Sequence, residues 1–203
     1  MSTLLMLIHV PPVTNTDDFI WRLVKGCIQL GLIPDINNTV NMVPVDHVAR
    51  CTALSALDFS QTPHTARVLH IRATPPVRFN AVLSAVARYG YKVKTTEYLI
   101  WRRGLEQHVL DVQDNALFPL LHFVLDDLPT STKAPELDDR NTTSLLKAYD
   151  EVTNAAVDDR LMGLYLAWLV DAGFLDPPLE GGSAPLPKLN GVTAAKAIGR
   201  RNR

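Results

Sequence analysis

Val40-Asn41-Met42-Val43-Pro44-Val45-Asp46-His47-Val48-Ala49-Arg50 is the stretch on which the reading of the fold turns. Val40, Asn41, Met42 and Val43 read as a short strand. A helix is expected over about 45–57, with Val48, Ala49, Thr52, Ala53 and Ala56 on its apolar face. Asp46 at its start reads as a cap rather than a catalytic base. The flanking sequence says how much of a fold is present.

Toward the N-terminus, Thr16 reads as the cap of a helix carrying Phe19, Leu23, Val24, Cys27 and Leu30 at helical spacing. Asp17 and Asp18 fall in its first turn and Gly31 ends it. Ile33-Pro34-Asp35-Ile36-Asn37-Asn38 reads as a turn-rich loop. Toward the C-terminus, 66–73 is the strongest strand candidate, with Val68, Leu69 and Ile71 as its apolar content. Further helices are expected over 79–89, 97–110, 117–128, 141–149 and 158–172. Only a short extended piece, 91–95, lies among them. Pro177, Pro178, Gly181, Gly182, Pro185 and Pro187 mark an unstructured segment, and Lys188, Lys196, Arg200, Arg201 and Arg203 a frayed basic terminus. Many helices and two or three short strands are a poor inventory for a complete doubly wound sheet. Either the fold is α/β, helix-rich and incomplete, or the chain is mostly α.

The chain has 203 residues, 47% of them hydrophobic, with a formal net charge of -1. That composition suits a globular domain, and the charge favours neither nucleic acid nor an anionic membrane. Two cysteines without metal-ligand spacing fit a reducing compartment. No basic residue precedes the apolar start at Leu4 and no stretch reaches roughly 20 apolar residues, so neither a signal peptide nor a span is expected. A cytoplasmic setting follows.

An autonomous active site is not legible. None of the ten glycines forms a dinucleotide-binding turn or a phosphate loop, and no nucleophile elbow or metal-ligand pattern occurs. His47, His70 and His122 read as structural. The acid pairs Asp17-Asp18, Asp138-Asp139 and Asp158-Asp159 sit where helices begin.

Several blocks nevertheless resemble one family. Asn15-Thr16-Asp17-Asp18-Phe19, Lys25-Gly26-Cys27-Ile28-Gln29-Leu30-Gly31, the 40–50 block quoted above, Asn115-Ala116-Leu117-Phe118-Pro119-Leu120-Leu121-His122 and Leu128-Pro129-Thr130-Ser131-Thr132-Lys133-Ala134-Pro135-Glu136-Leu137-Asp138-Asp139-Arg140-Asn141 are similar to the fungal L-2-aminoadipate reductases. The likeness runs over about 14–189. It implies the C-terminal, substrate-side part of an extended short-chain dehydrogenase, an incomplete Rossmann domain. It divides the chain into an atypical start (1–13), the reductase portion (14–176) and a tail (177–203).

The same resemblance implies a step of lysine biosynthesis: NADPH-dependent reduction of a carrier-bound aminoadipoyl thioester, held on phosphopantetheine, to the semialdehyde. The family's Gly-rich turn and Tyr-x-x-x-Lys pair have no counterpart, since Tyr89, Tyr91, Tyr98, Tyr149 and Tyr165 are never followed by Lys at that spacing. Leu7-Ile8-His9-Val10-Pro11-Pro12 stands where the family has an Arg-Pro-Gly strand end. The chain alone is thus expected to be inactive, its partner the N-terminal part of the domain. The alternative is a non-catalytic docking module for a carrier protein or a separate front half. Asn41, Met42 and Pro44 are the expected rim of the substrate channel; no catalytic, cofactor-binding or metal-ligating residue is expected.

Overall fold

The computed structural model describes residues 4–6, 13–61, 68–112, 115–126, 128–179 and 181–189. In chain order its elements are β1 (Leu4–Met6), α1 (Phe19–Leu30), β2 (Leu32–Asp35), β3 (Thr39–Val40), β4 (Met42–Pro44), α2 (Val45–Gln61) and β5 (Val77–Arg78). After these come α3 (Phe79–Arg88), β6 (Lys94–Glu97), α4 (Tyr98–Asp111), a 3-10 turn (Phe118–Leu120), α5 (Leu121–Asp126), α6 (Leu128–Ser131), α7 (Arg140–Ala148) and α8 (Asp159–Asp171).

The cap of α1 is Asp18, not Thr16. The Asp18 carboxylate accepts the Ile20 amide at 3.2 Å while its backbone is extended, which is N-cap geometry. Thr16 is taken up in a turn that Asn15 organises, its Oδ1 accepting the Asp17 amide at 3.0 Å and its carbonyl the Asp18 amide at 3.1 Å. At the other end Gly31 adopts φ 73° and returns its amide to the Ile28 carbonyl, a left-handed cap that favours glycine. Asp158 caps α8 in the same way as Asp18, accepting the Leu161 amide at 2.8 Å.

Residues 32–35, read from sequence as loop, form a strand. β2 pairs in parallel with β6, Ile33 opposite Thr95 and Pro34 opposite Thr96. Among the described residues β2 has a ladder on one side only, where a missing proline N–H is tolerated. α4 follows β6 directly and lies over β2: buried Trp101 donates its indole N–H to the Leu32 carbonyl at 3.2 Å. β4 pairs in parallel with β1, Leu4 opposite Met42, and β3 pairs antiparallel with β5. Each described sheet is two-stranded, so the strands are remnants of layers rather than a complete doubly wound sheet.

The 68–73 segment is not a strand; residues 66 and 67 of that candidate lie outside the described residues, as do 7–12 and 190–203. Side chains replace the missing ladder. The Val68 carbonyl accepts from Asn141 Nδ2, that of His70 from Thr142 Oγ1 and that of Ile71 from Asn41 Nδ2, and the Ala73 amide goes to Asn41 Oδ1. Every one of these bonds satisfies a backbone group that a neighbouring strand would otherwise serve.

The main core joins α1, α3, α4 and α8, with Trp21, Phe79, Trp101 and Tyr165 buried at its centre. Trp21 and Tyr165 rings lie 5.4 Å apart at 45°, within the range of favourable aromatic pairs. A smaller cluster joins Cys51 and Leu54 of α2 to Leu145 and Leu146 of α7. This contact turns α2 away from the face expected for it. His47, Cys51 and Leu54 are buried, whereas Ala49, Thr52, Ala53 and Ala56 face solvent. Burial of larger side chains is worth more per residue than burial of alanine, so the bulkier row wins. The expected 117–128 helix is likewise broken into a 3-10 turn, α5 and α6.

The Pro/Gly-rich stretch forms no helix or strand, and its 181–189 part lies against the end of α3. Ala184 donates to the Arg88 carbonyl at 3.2 Å. At Gly182 a Cβ would run into the Arg88 and Gly90 backbone, so only glycine allows this approach.

Candidate functional site

Asn41 sits where the chain passes from β3 to β4, and both ends of its amide are used. Nδ2 donates to the Ile71 carbonyl at 3.1 Å and Oδ1 accepts the Ala73 amide at 2.7 Å. The pair of bonds pins residues 71–73 beside β3 and forms one wall of a cleft of about 370 Å³. Thr39, Asn41, Arg72, Pro76, Ala134 and Glu136 are among its lining residues.

The opposite wall, 134–137, is held as firmly. The Ala134 amide donates to the Thr39 carbonyl at 3.0 Å. Asn38 Nδ2 reaches Thr132 Oγ1 at 3.2 Å and also the Pro129 carbonyl. Arg72 Nε lies 2.8 Å from Asp139 Oδ2, an ion pair by distance but without hydrogen-bond geometry, and His70 Nδ1 lies 2.9 Å from the Asp138 carbonyl. Of the three residues expected at a channel rim, Asn41 lines this cleft. Met42 is 1% exposed and Pro44 is buried, both in the strand that pairs with β1. Thr39, Arg72 and Glu136 carried no sequence signal, because they come from three separated segments that only the fold joins.

A second cleft, of about 550 Å³, lies between the 74–78 turn, α3 and the start of α8. Its charged groups already have partners. Arg88 Nε donates to Asp159 at 2.8 Å, Arg78 Nη1 donates to Asn37 Oδ1 at 2.8 Å, and Asp158 is the α8 cap.

The thiols and buried histidine offer no activated nucleophile. Cys27 is fully buried beside Trp101, and loss of solvent pushes its thiol well up. His47 Nε2 lies 3.6 Å from Cys51 Sγ, but burial lowers the imidazole pKa and raises that of the thiol. Both groups are thus held neutral, the opposite of a thiolate–imidazolium pair. Asp46 is not a cap: α2 begins at Val45, and Asp46 lies in the first turn with its Oδ1 buried and unbonded. Burial, with a smaller contribution from the Asp46 charge, raises the Tyr165 phenol.

Among the described residues the glycines serve packing and helix ends. A nucleotide cradle needs glycines that leave room for a pyrophosphate, but the tight approaches here are to the chain itself. A Cβ would meet Leu117 at Gly26, Tyr89 at Gly163 and the Arg88 backbone at Gly182. Gly31 and Gly173 are left-handed positions at helix ends. Among the described residues no group of three His, Cys, Asp or Glu side chains could hold a metal ion, and no helix is long and apolar enough to cross a membrane.

Residues 7–52 match a family of NAD-binding domains, NAD_binding_4, described as male sterility protein. The L-2-aminoadipate reductase of Schizosaccharomyces pombe is 50% identical over 190 residues, which is 90% of this chain and 13% of the relative. The L-2-aminoadipate reductase large subunit of Penicillium chrysogenum is 48% identical over 186 residues, 86% of this chain and 13% of the relative. The chain is a homologue of part of the fungal L-2-aminoadipate reductases. It spans 13% of the length of these relatives. In three dimensions this homologue superimposes on the terminal R domain from the myxalamid PKS-NRPS biosynthetic pathway with a TM-score of 0.68 at 26% identity. The match covers 86% of this chain and 43% of that one. The fold is thus the helix-rich α/β portion of an extended short-chain dehydrogenase, as the sequence blocks implied.

Proposed function

We propose that this chain supplies the substrate-side portion of a reductase domain. That domain reduces the aminoadipoyl thioester carried on a phosphopantetheine arm to the semialdehyde, in the cytoplasm and as a step of lysine biosynthesis. The observation that carries this reading is 50% identity to a fungal L-2-aminoadipate reductase across 90% of the chain.

The division of labour follows from the residues. Bound NADPH would supply the hydride, held by a part of the reductase domain that precedes these walls. This chain contributes the walls that receive the acyl chain, with Asn41 at the rim and Met42 and Pro44 behind it fixing the strand from which the rim projects. Differential stabilisation of the transition state needs both the proton donor and the bound hydride source.

The test is reconstitution. The chain is purified alone and together with the preceding reductase segment of the Schizosaccharomyces pombe relative, and NADPH consumption is followed with an aminoadipoyl thioester. Turnover only in the combined sample is expected. Aldehyde formation by the chain alone overturns the division of labour, and no turnover in either sample overturns the reductase reading.

A further inference from the structure

The segment 135–151 docks on the rest of the chain without entering its main core. Among the described residues, none of 135–151 belongs to the cluster built on α1, α3, α4 and α8. Backbone hydrogen bonds anchor the chain on either side of it. The Ala134 amide goes to the Thr39 carbonyl, and Ala155 exchanges amide and carbonyl with Thr74. Between these anchors α7 rests on α2 through a separate cluster, Cys51 and Leu54 against Leu145 and Leu146. Its other ties run through side chains. Asn141 and Thr142 reach the Val68 and His70 carbonyls, and Arg50 pairs with Glu151 at 3.3 Å. A segment held by one small apolar cluster and by such ties opens at a lower free energy than the core beside it.

His47 lies at the base of that cluster, 7% exposed, with its Nε2 3.6 Å from Cys51 Sγ. We propose that 135–151 is a lid on the cleft beside Asn41, closed at neutral pH and released in mild acid when His47 takes up a proton. Pro135, Glu136 and Leu137, which line that cleft, leave with it.

The groups facing His47 decide how the cluster answers to acid. Asp46, Arg50 and Cys51 come from its own helix, and Glu151 from the chain that follows α7. Burial is the largest influence and, with the Arg50 charge, holds the imidazole below its ordinary 6.5 against the two carboxylates. The Cys51 thiol, itself kept neutral by burial, supplies no counter-charge. The open form therefore takes up the proton more readily than the closed one. Closure is complete above pH 6.5 and weakens as pH falls below it toward the depressed value.

The two thiols provide the test. Cys51 is buried between α2 and α7 and reports the lid, whereas Cys27 is buried in the main core and reports global unfolding. The 203-residue chain is labelled with dithiodipyridine at a series of pH values. Each thiol's rate, resolved by mass spectrometry, is compared with its rate in urea at the same pH. Protection of Cys51 is expected to fall at least about fivefold between about pH 7.5 and about pH 5 while Cys27 stays protected. His47→Gln should abolish the fall. Arg50→Gln should move its midpoint to higher pH and Glu151→Gln to lower pH. Both of these variants break the same ion pair, so opposite shifts separate the charge acting on His47 from the lost tie. Should His47→Gln fail to close at neutral pH, the two charge variants decide by themselves. Constant protection of Cys51, a parallel loss at Cys27, an undiminished fall in His47→Gln, or charge variants that do not shift in opposite directions overturns the proposal.

Discussion

Asn41 Oδ1 accepts the amide of Ala73 at 2.7 Å. The same side chain donates to the Ile71 carbonyl at 3.1 Å, so one amide does for 71–73 what an adjacent strand would do. The cleft wall exists because of this residue.

Asn41→Ala should therefore cost about 1–3 kcal/mol, the range for leaving partly buried backbone groups unpaired. Asn41→Asp retains the acceptor for Ala73 and loses the donor to Ile71, so its urea midpoint should fall between those of the wild type and the alanine variant. An alanine variant as stable as the wild type would remove the structural role assigned here.

Helix capping gives a comparison with an internal control. Asp18→Ala should lose about 1 kcal/mol by removing the bond to the Ile20 amide, as typical cap substitutions do. Thr16→Ala should change stability far less, because Thr16 lies before the cap in the Asn15 turn. Equal losses in chemical denaturation would restore Thr16 as the cap.

Gly163 faces the Tyr89 ring closely enough that a Cβ would overlap it. Gly163→Ala should destabilise the chain by about 1–3 kcal/mol, the usual range for overpacking. Adding Tyr89→Ala should recover the part of that loss due to the clash, so the double variant should be more stable than the sum of the two singles implies. Strict additivity of the thermal shifts would remove the contact from the account.

The alkaline limb reports on Tyr91. Burial, with a smaller contribution from Asp176, pushes its phenol from 10.0 up to about 12, and its hydroxyl donates to the Asp176 carbonyl at 2.9 Å. A folded value above the unfolded one means stability that is complete below pH 10.0 and lost as pH rises toward about 12. Tyr91→Phe should flatten the fall in stability across that window, leaving the slope due to the other raised phenols, Tyr89 and Tyr165. An unchanged slope in pH-dependent denaturation would contradict the burial assignment.

The helices were legible in the sequence and the strands were largely not. Asp158 before Leu161 and glycine at 31 and 173 carry their meaning locally, since a cap or a left-handed turn involves residues within one turn of each other. Pro34 misled for the opposite reason. Its local preference is for a turn, and only pairing with β6, more than two elements away in the chain, makes 32–35 a strand. Of the cleft, Asn41 was within reach of the sequence reading, while Arg72 and Glu136 were not, because nothing in either one's neighbours states that the two share a cavity.

By itself, then, the sequence determined where α1, α3, α4, α7 and α8 lie within a residue or so at most of their ends, and, through its blocks of likeness, the family. Periodicity and caps are short-range properties, and a helix satisfies its own backbone. The tertiary structure alone decided the face that α2 buries, the absence of a ladder at 68–73 and the gathering of Arg72 and Glu136 around one cleft. Each of those depends on which distant groups compete for the same buried surface or the same backbone hydrogen bond, and that competition is settled only when the chain is folded.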